Sequence, residues 1–217
     1  MLRAVLVVLS QGCKWRAIDG PEASWNSIYQ YYRDWSRRGV WAELFALVEP
    51  RLKGRRRFLA ATHIKVHRCA SNPPGGQDGQ ALGRTKGGLN TKLHAVVDEA
   101  GQPVSLLLSA GHEADISHAQ TVLAEIPAAM VVADKGYDSD AFRQWLVERG
   151  IKPCIPPRRN RKTKTRFSKA SYRQRHLVEN FFERIKNFRR VATRYDKLAE
   201  TFFGFACLAA TLISLLW

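Results

Sequence analysis

"NTKLHAVVDEAGQPVSLLLSAG", residues 90–111, sets the architecture of this chain. Two apolar runs, "NTKLHAVVD" and "PVSLLLSAG", flank the turn "EAGQ". Apolar runs bounded by turn formers read as two strands of one hairpin. Asp98 sits at the turn and reads as a turn former.

Upstream of the hairpin, "FLAATHIKVH" (58–67) reads as a first strand. It leads into "SNPPGGQDGQALGRTKGG", a Gly/Pro-rich loop. Downstream, "ISHAQTVLAEI" reads as a helix, and "AMVVAD" as a β-branched strand that stops at Asp134. "SDAFRQWLVERG" reads as a helix with Ser139 or Asp138 as its cap and Gly150 as its stop. "KPCIPP" is a last short strand, and "RRNRKTKTR" a basic loop. A long helix is predicted over Tyr172–Arg190, with an apolar helix closing the chain. The order β-β-β-α-β-α-β-α predicts an α/β fold: a hairpin-led mixed sheet covered by helices.

Residues 1–49 read as helical. Leu2–Ser10 is one apolar helix with Gly12 as its stop. After the loop "WRAIDGPEA", Ser24 caps "WNSIYQYYRDWSRRG". Its Trp25, Ile28, Tyr29, Tyr32 and Trp35 follow helical spacing, with Arg33, Arg37 and Arg38 among them. A DNA-binding helix-turn-helix and an ordinary aromatic-packed hairpin both fit this pattern. "PRLKGRRR" (50–57) then reads as a basic linker, which divides the chain into 1–49 and 50–217.

Lys plus Arg is 35 and Asp plus Glu is 19, so the formal charge is 35 − 19 = +16. That excess favours a polyanionic partner, because neutralised phosphates release condensed counterions. An apolar fraction of 45% argues against a disordered basic tail. Cys13, Cys69, Cys154 and Cys207 are scattered without zinc-site spacing and read as reduced thiols of a cytosolic protein. Two segments imitate membrane signals, "MLRAVLVVLSQGC" and "FFGFACLAATLISLLW". Both fall short of the roughly 20 apolar residues that span a bilayer, and both read as buried helices.

Two features could carry chemistry. Asp134 ends a buried strand in "VVADKGYDSD", the position where ligands and metals collect in α/β sheets. With Asp138 available to cap the next helix, Asp134 reads as functional. The second feature is "YRQRHLVENFFERIK". Tyr172, Arg175, Glu179 and Lys186 are spaced by three, four and seven, which returns to one helix face. A solvated, salt-bridged face would also place charges this way. A central Glu with two cations and a phenol, opposite a strand-end Asp, suits phosphate chemistry better. Carboxylates would hold Mg2+, and Arg and Lys would grip the phosphodiester.

These residues resemble those of the DDE transposases of bacterial insertion sequences, in the insertion-sequence-five group. "ALGRTKGGLNTKLHAVVD", "VVADKGYDSD", "IPPRRNRKT" and "RHLVENFFERIKNFRRVATRYDK" all look like that family's motifs. The resemblance implies an RNase H-like mixed sheet flanked by helices, after a small N-terminal helical, helix-turn-helix-like module that begins partway through. It implies hydrolysis and strand transfer of DNA phosphodiesters with two Mg2+ or Mn2+ ions. It makes Asp134 the second acid and Glu179 the third, both metal ligands, with Tyr172, Arg175 and Lys186 in the catalytic set.

The family's first acid lies on the first strand, in a motif like Asp-(Ala/Ser)-Thr-x-x-x-x-His. Here that alignment places Ala60 at the acid, followed by Ala61, Thr62 and, at the closing position, His67. A bridging carboxylate normally joins the two ions, and alanine offers no ligand. His63 and His67 share the opposite strand face from residue 60, and imidazole suits Zn2+ better than Mg2+. Asp98 reads as a turn former and Asp115 as a helix cap.

The expected partners are double-stranded DNA, as terminal inverted repeats and target, and a second copy of the chain that would bring two ends together. The backbone contacts are expected from Arg51–Arg57, Arg158–Arg166 and Lys186–Arg190, and in particular from Lys135, Arg158, Arg159, Arg161, Lys162, Lys186, Arg189 and Arg190. The expected setting is the bacterial nucleoid in the cytoplasm, with no membrane. The alternatives are a catalytically inactive relative that occupies transposon ends and a structural RNA-binding protein. Facing carboxylates argue against the RNA binder.

Overall fold

The computed structural model describes residues 1–18, 23–48, 55–162 and 165–216. Most of the expected linker, including Arg51 and Lys53, lies outside the described residues, as does Lys164 in the basic loop.

Three helices come first: α1 (Leu2–Gln11), α2 (Trp25–Arg37) and α3 (Val40–Leu47). Gly12 ends α1 in the left-handed region at φ 66°, and the Ser24 hydroxyl caps α2 by accepting from the Ser27 amide at 3.2 Å. The sheet follows: β1 (Arg56–Val66), β2 (Gly83–Thr85), β3 (Gly88–Val97) and β4 (Pro103–Ala110). Then come α4 (Ala119–Leu123), β5 (Met130–Val132), α5 (Asp140–Glu148) and β6 (Lys152–Cys154). The chain closes with α6 (Lys169–Arg173), α7 (His176–Lys186), α8 (Arg189–Ala192), β7 (Thr193–Arg194) and α9 (Ala199–Leu216).

β1 is the spine of the sheet. It pairs antiparallel with β3, which carries β4 as an antiparallel neighbour, and parallel with β5, which carries β6. β2 extends β3, and β7 pairs with the end of β1. The expected hairpin is β3–β4. Asp98 is its turn former: the carboxylate accepts from the Ala100 and Gln102 amides at 2.8 and 3.0 Å.

Alternation along β1 sends its side chains to two cores. Phe58, Ala60 and Ile64, with Leu93, Ala95 and Val97 of β3, face α7 and α9. Leu59 and Val96 face α4 and α5. The fold is therefore a mixed sheet flanked by helices, as expected from the sequence.

α9 is long and apolar enough to cross a membrane by length and composition, but 61% of it is buried inside the protein. It packs against α2, α3, α7, α8 and β4. α2 turns Ile28, Tyr32 and Ser36 inward, and the Tyr32 hydroxyl donates to the Thr201 carbonyl at 2.6 Å. Val5, Leu9, Tyr32, Trp41 and Phe45 thus join the same apolar cluster as the sheet and α9.

Three expectations need correction. The stretch read as a Gly/Pro-rich loop contains a short strand, β2, whose Gly83–Thr85 pair with β3. The helix predicted over Tyr172–Arg190 is three helices. Between α6 and α7 the amides of Arg175, Leu177 and Val178 each bond the carbonyl three residues back, a 3-10-type turn. Phe188, with extended backbone, separates α7 from α8. The helix expected over 116–126 begins as a 3-10 turn, Asp115–His118, and only Ala119–Leu123 is α-helical.

Candidate active site

Asp134 leaves the end of β5, and its carboxylate accepts the Gly136 amide at 2.6 Å. It thereby caps the 3-10 turn Lys135–Tyr137. Asp138 is not the cap of α5, because its carboxylate is spent elsewhere. It accepts from Arg143 Nε at 2.8 Å, Arg161 Nη1 at 2.9 Å and the Arg158 amide at 2.7 Å. Burial pushes the Asp138 carboxyl up, but the Arg158 amide and the two guanidiniums outweigh it and hold the pKa below its usual value. The Arg158 guanidinium in turn donates to the Lys135 and Gly136 carbonyls at 3.1 and 2.8 Å. Two of the residues expected on DNA, Arg158 and Arg161, thus brace the Asp134 turn. Arg159 and Lys162 are exposed on the same loop.

Asp134 opens onto a cleft of about 780 Å³, which Tyr172 and Arg175 line from α6 and the following turn. In a 3-10 turn residues three apart eclipse, so the break in the predicted helix keeps Tyr172 and Arg175 on one side. Arg175 pairs with Glu179 one turn into α7. At the other end of α7, Lys186 Nζ donates to Thr62 Oγ1 of β1 at 2.7 Å. The Tyr–Arg–Glu–Lys stripe therefore runs from the Asp134 cleft to β1.

Ala60 lies on the α7 side of β1, opposite Ala95, and is 5% exposed. His63 faces the other way, as expected. The His67 ring accepts the Cys69 amide at 3.2 Å and lies 5.0 Å from the Tyr195 ring.

Asp115 is the residue that the sequence underrated. It is not a capping residue: the side chain accepts Lys92 Nζ at 2.6 Å and lines the same cleft as Asp134. The Tyr137 hydroxyl is buried without a hydrogen-bond partner among the described residues. Burial raises its pKa most, and Asp115 and Asp134 raise it further.

Arg190 is a correction. It was expected on DNA, but it is buried and ion-paired with Asp196 through two bonds of 3.0 and 2.9 Å. Arg194 is likewise internal, bonded to the Gln80 and Lys197 carbonyls and to Thr91 Oγ1. Basic residues in "RRVATRYDK" thus hold the fold, while Arg189 is exposed.

Asp134 and Glu179 are hard oxygen donors of the type that Mg2+ takes. Among the described residues no three His, Cys, Asp or Glu side chains gather around one point.

A family profile described as a transposase DDE domain matches residues 53–213. A second, described as a transposase of the IS4/5 family, matches residues 1–45. A protein named as a transposase for insertion sequence element IS6501, from Brucella ovis, is 34% identical over 128 residues, 58% of this chain and 98% of that one. Another, named for insertion sequence element IS402 of Burkholderia cepacia, is 29% identical over 156 residues, 63% of this chain and 72% of that one. A solved Mos1 transposase, in a paired-end complex with the left transposon end, aligns over 97% of this chain and 78% of that one, with 12% identity and a TM-score of 0.32. The chain belongs to the insertion-sequence transposases that carry a DDE domain.

Proposed function

We propose that this transposase holds the terminal inverted repeats of its element in the Asp134 cleft, and that its cutting and strand-transfer chemistry is limited at Ala60. The observation that carries the reading is the position of Ala60: mid-strand, buried, on the face that α7 covers. A carboxylate there would lie on the same side of the sheet as the helix that carries Glu179. Asp134 and Glu179 would hold a divalent ion, Mg2+ or Mn2+, which when bound stabilises charge at the reacting phosphodiester.

The chain's own residues do the rest. Arg175 holds the Glu179 carboxylate, and Arg158 locks the Lys135–Gly136 turn below Asp134. Lys135, Arg159, Lys162 and Arg189 are exposed cations for the DNA backbone. Residues 1–49 form the first unit and 50–217 the catalytic unit, and two copies working on paired ends at the nucleoid complete the reading.

The test compares this chain with its Ala60→Asp variant on DNA carrying the element's end, in Mg2+ and in Mn2+. Losing one bridging ligand costs several kcal/mol of charge stabilisation, and each ~1.4 kcal/mol is tenfold in rate, so the variant should cut about a hundredfold faster or more. Equal rates would overturn the reading.

A further inference from the structure

The stretch Gly83–Lys92 resembles a family motif, yet none of its residues lines the Asp134 cleft. It builds a second cleft, of about 660 Å³, on the opposite face of β1 from Ala60. Lys65 of β1, Arg84 and Lys86 of the β2–β3 hairpin, Lys92 of β3, and His63 and His112 are among its lining residues. No Asp or Glu lines it.

The cleft is built rigidly. Asn90 Nδ2 donates to Thr85 Oγ1 at 2.7 Å and to the Gly88 carbonyl at 2.8 Å, which stitches the hairpin tip that presents Lys86. Gly83 and Gly111 let three strands close on one another. A Cβ on Gly83 would lie 2.3 Å from His112 Nδ1, and one on Gly111 2.7 Å from Asn90 Cβ. Glycine is required there by close approach, which holds Arg84 and His112 at one rim.

Lys92 is committed to Asp115, but Lys65, Arg84 and Lys86 are exposed and make no ion pair among the described residues. Three like charges held together without a counter-charge repel one another, which a polyanion relieves. Apart from imidazoles, no ring lines the cleft to stack a base, so the fit is to phosphate rather than nucleobase. The Lys92–Asp115 pair joins the two clefts: Lys92 lines this one and Asp115 lines that of Asp134.

We infer that the Lys65–Arg84–Lys86 cleft is a second DNA-backbone site, which grips a phosphodiester run continuous with the duplex in the Asp134 cleft. This rests on the reading that the chain acts on DNA.

The test measures equilibrium binding of the full chain to a duplex across a salt series. It uses wild type, the triple variant Lys65→Ala/Arg84→Ala/Lys86→Ala, and the charge-keeping variant Lys65→Arg/Arg84→Lys/Lys86→Arg. With about 0.9 counterions released per phosphate contact, the alanine variant should lower the slope of log affinity against log salt by about two to three. It should bind at least about tenfold more weakly at low salt, while the charge-keeping variant keeps the wild-type slope. Thermal unfolding checks that the alanine variant is folded. A folded alanine variant with the wild-type slope would overturn the inference and leave the proposed function standing. A wild type that binds no duplex would overturn both. Equal inhibition of wild type and alanine variant by inorganic phosphate, with no difference on duplex, would also overturn it.

Discussion

Lys186 and Thr62 are 124 residues apart in sequence, yet Lys186 Nζ donates to Thr62 Oγ1 at 2.7 Å. The bond ties the end of α7 to the spine of the sheet, two residues along the same face from Ala60. The ammonium is half-buried, and burial lowers its pKa. Leaving the charged partner of such a bond unpaired costs more than leaving the neutral one unpaired. Thr62→Val leaves the ammonium without its acceptor and should destabilise the chain by about 1–3 kcal/mol. Lys186→Met removes the charge with the bond and should cost less than about 1 kcal/mol. Urea unfolding of the two variants checks the order.

The same lysine makes a pH prediction. Its folded pKa lies below the unfolded value, so in the alkaline window between them the unfolded state binds more protons. Stability then gains from rising pH across that window. Lys186→Met should lack this gain, which denaturant unfolding across the alkaline range below the ordinary lysine pKa reads out.

Glu99 should govern part of the acid limb. Its carboxylate pairs with the Arg56 side chain and accepts the Arg55 and Arg56 amides, both at 2.9 Å. The Arg56 bond lowers its pKa most, down to about 2. A depressed carboxylate contributes stability above its unfolded pKa and loses it as pH falls toward the folded one. Glu99→Gln should therefore be less stable at neutral pH and show a flatter loss between about pH 4.5 and 2. Parallel loss in the two proteins would reject the assignment.

Arg189 and Arg190 should behave as opposites. Arg190→Ala strands the buried Asp196 carboxylate and should cost about 3–5 kcal/mol in folding stability. Arg189→Ala, at an exposed position, should leave stability within about 0.5 kcal/mol and weaken DNA binding at all sequences alike. Unfolding curves paired with a binding titration separate the two.

Gly204 should report on how the N-terminal helices are attached. A Cβ there would lie 2.8 Å from Ser36 Oγ and from Trp41 Cδ1, and 3.1 Å from the Tyr32 hydroxyl. Gly204→Ala should therefore cost about 1–3 kcal/mol through overpacking between α9 and α2–α3. A neutral or stabilising effect, as helix propensity alone would give, would mean that this contact is loose.

The sequence by itself determined the mixed strand–helix pattern around the hairpin at 90–111, the caps at Gly12 and Ser24, and the Asp134 and Tyr172–Lys186 signals, but not the short strands β2 and β7. These follow from periodicity, turn chemistry and local spacing, which act over a few residues. Tertiary structure decided the rest. Arg189 and Arg190 are chemically alike in sequence, and only the placement of Asp196 and Phe205 turns one inward. Asp115 read as a cap until Lys92, 23 residues upstream, drew its carboxylate into the Asp134 cleft. The break at 174–175 left no Gly or Pro in the sequence to announce it. Burial and long-range charge pairing depend on which segments meet, and no local pattern carries that information.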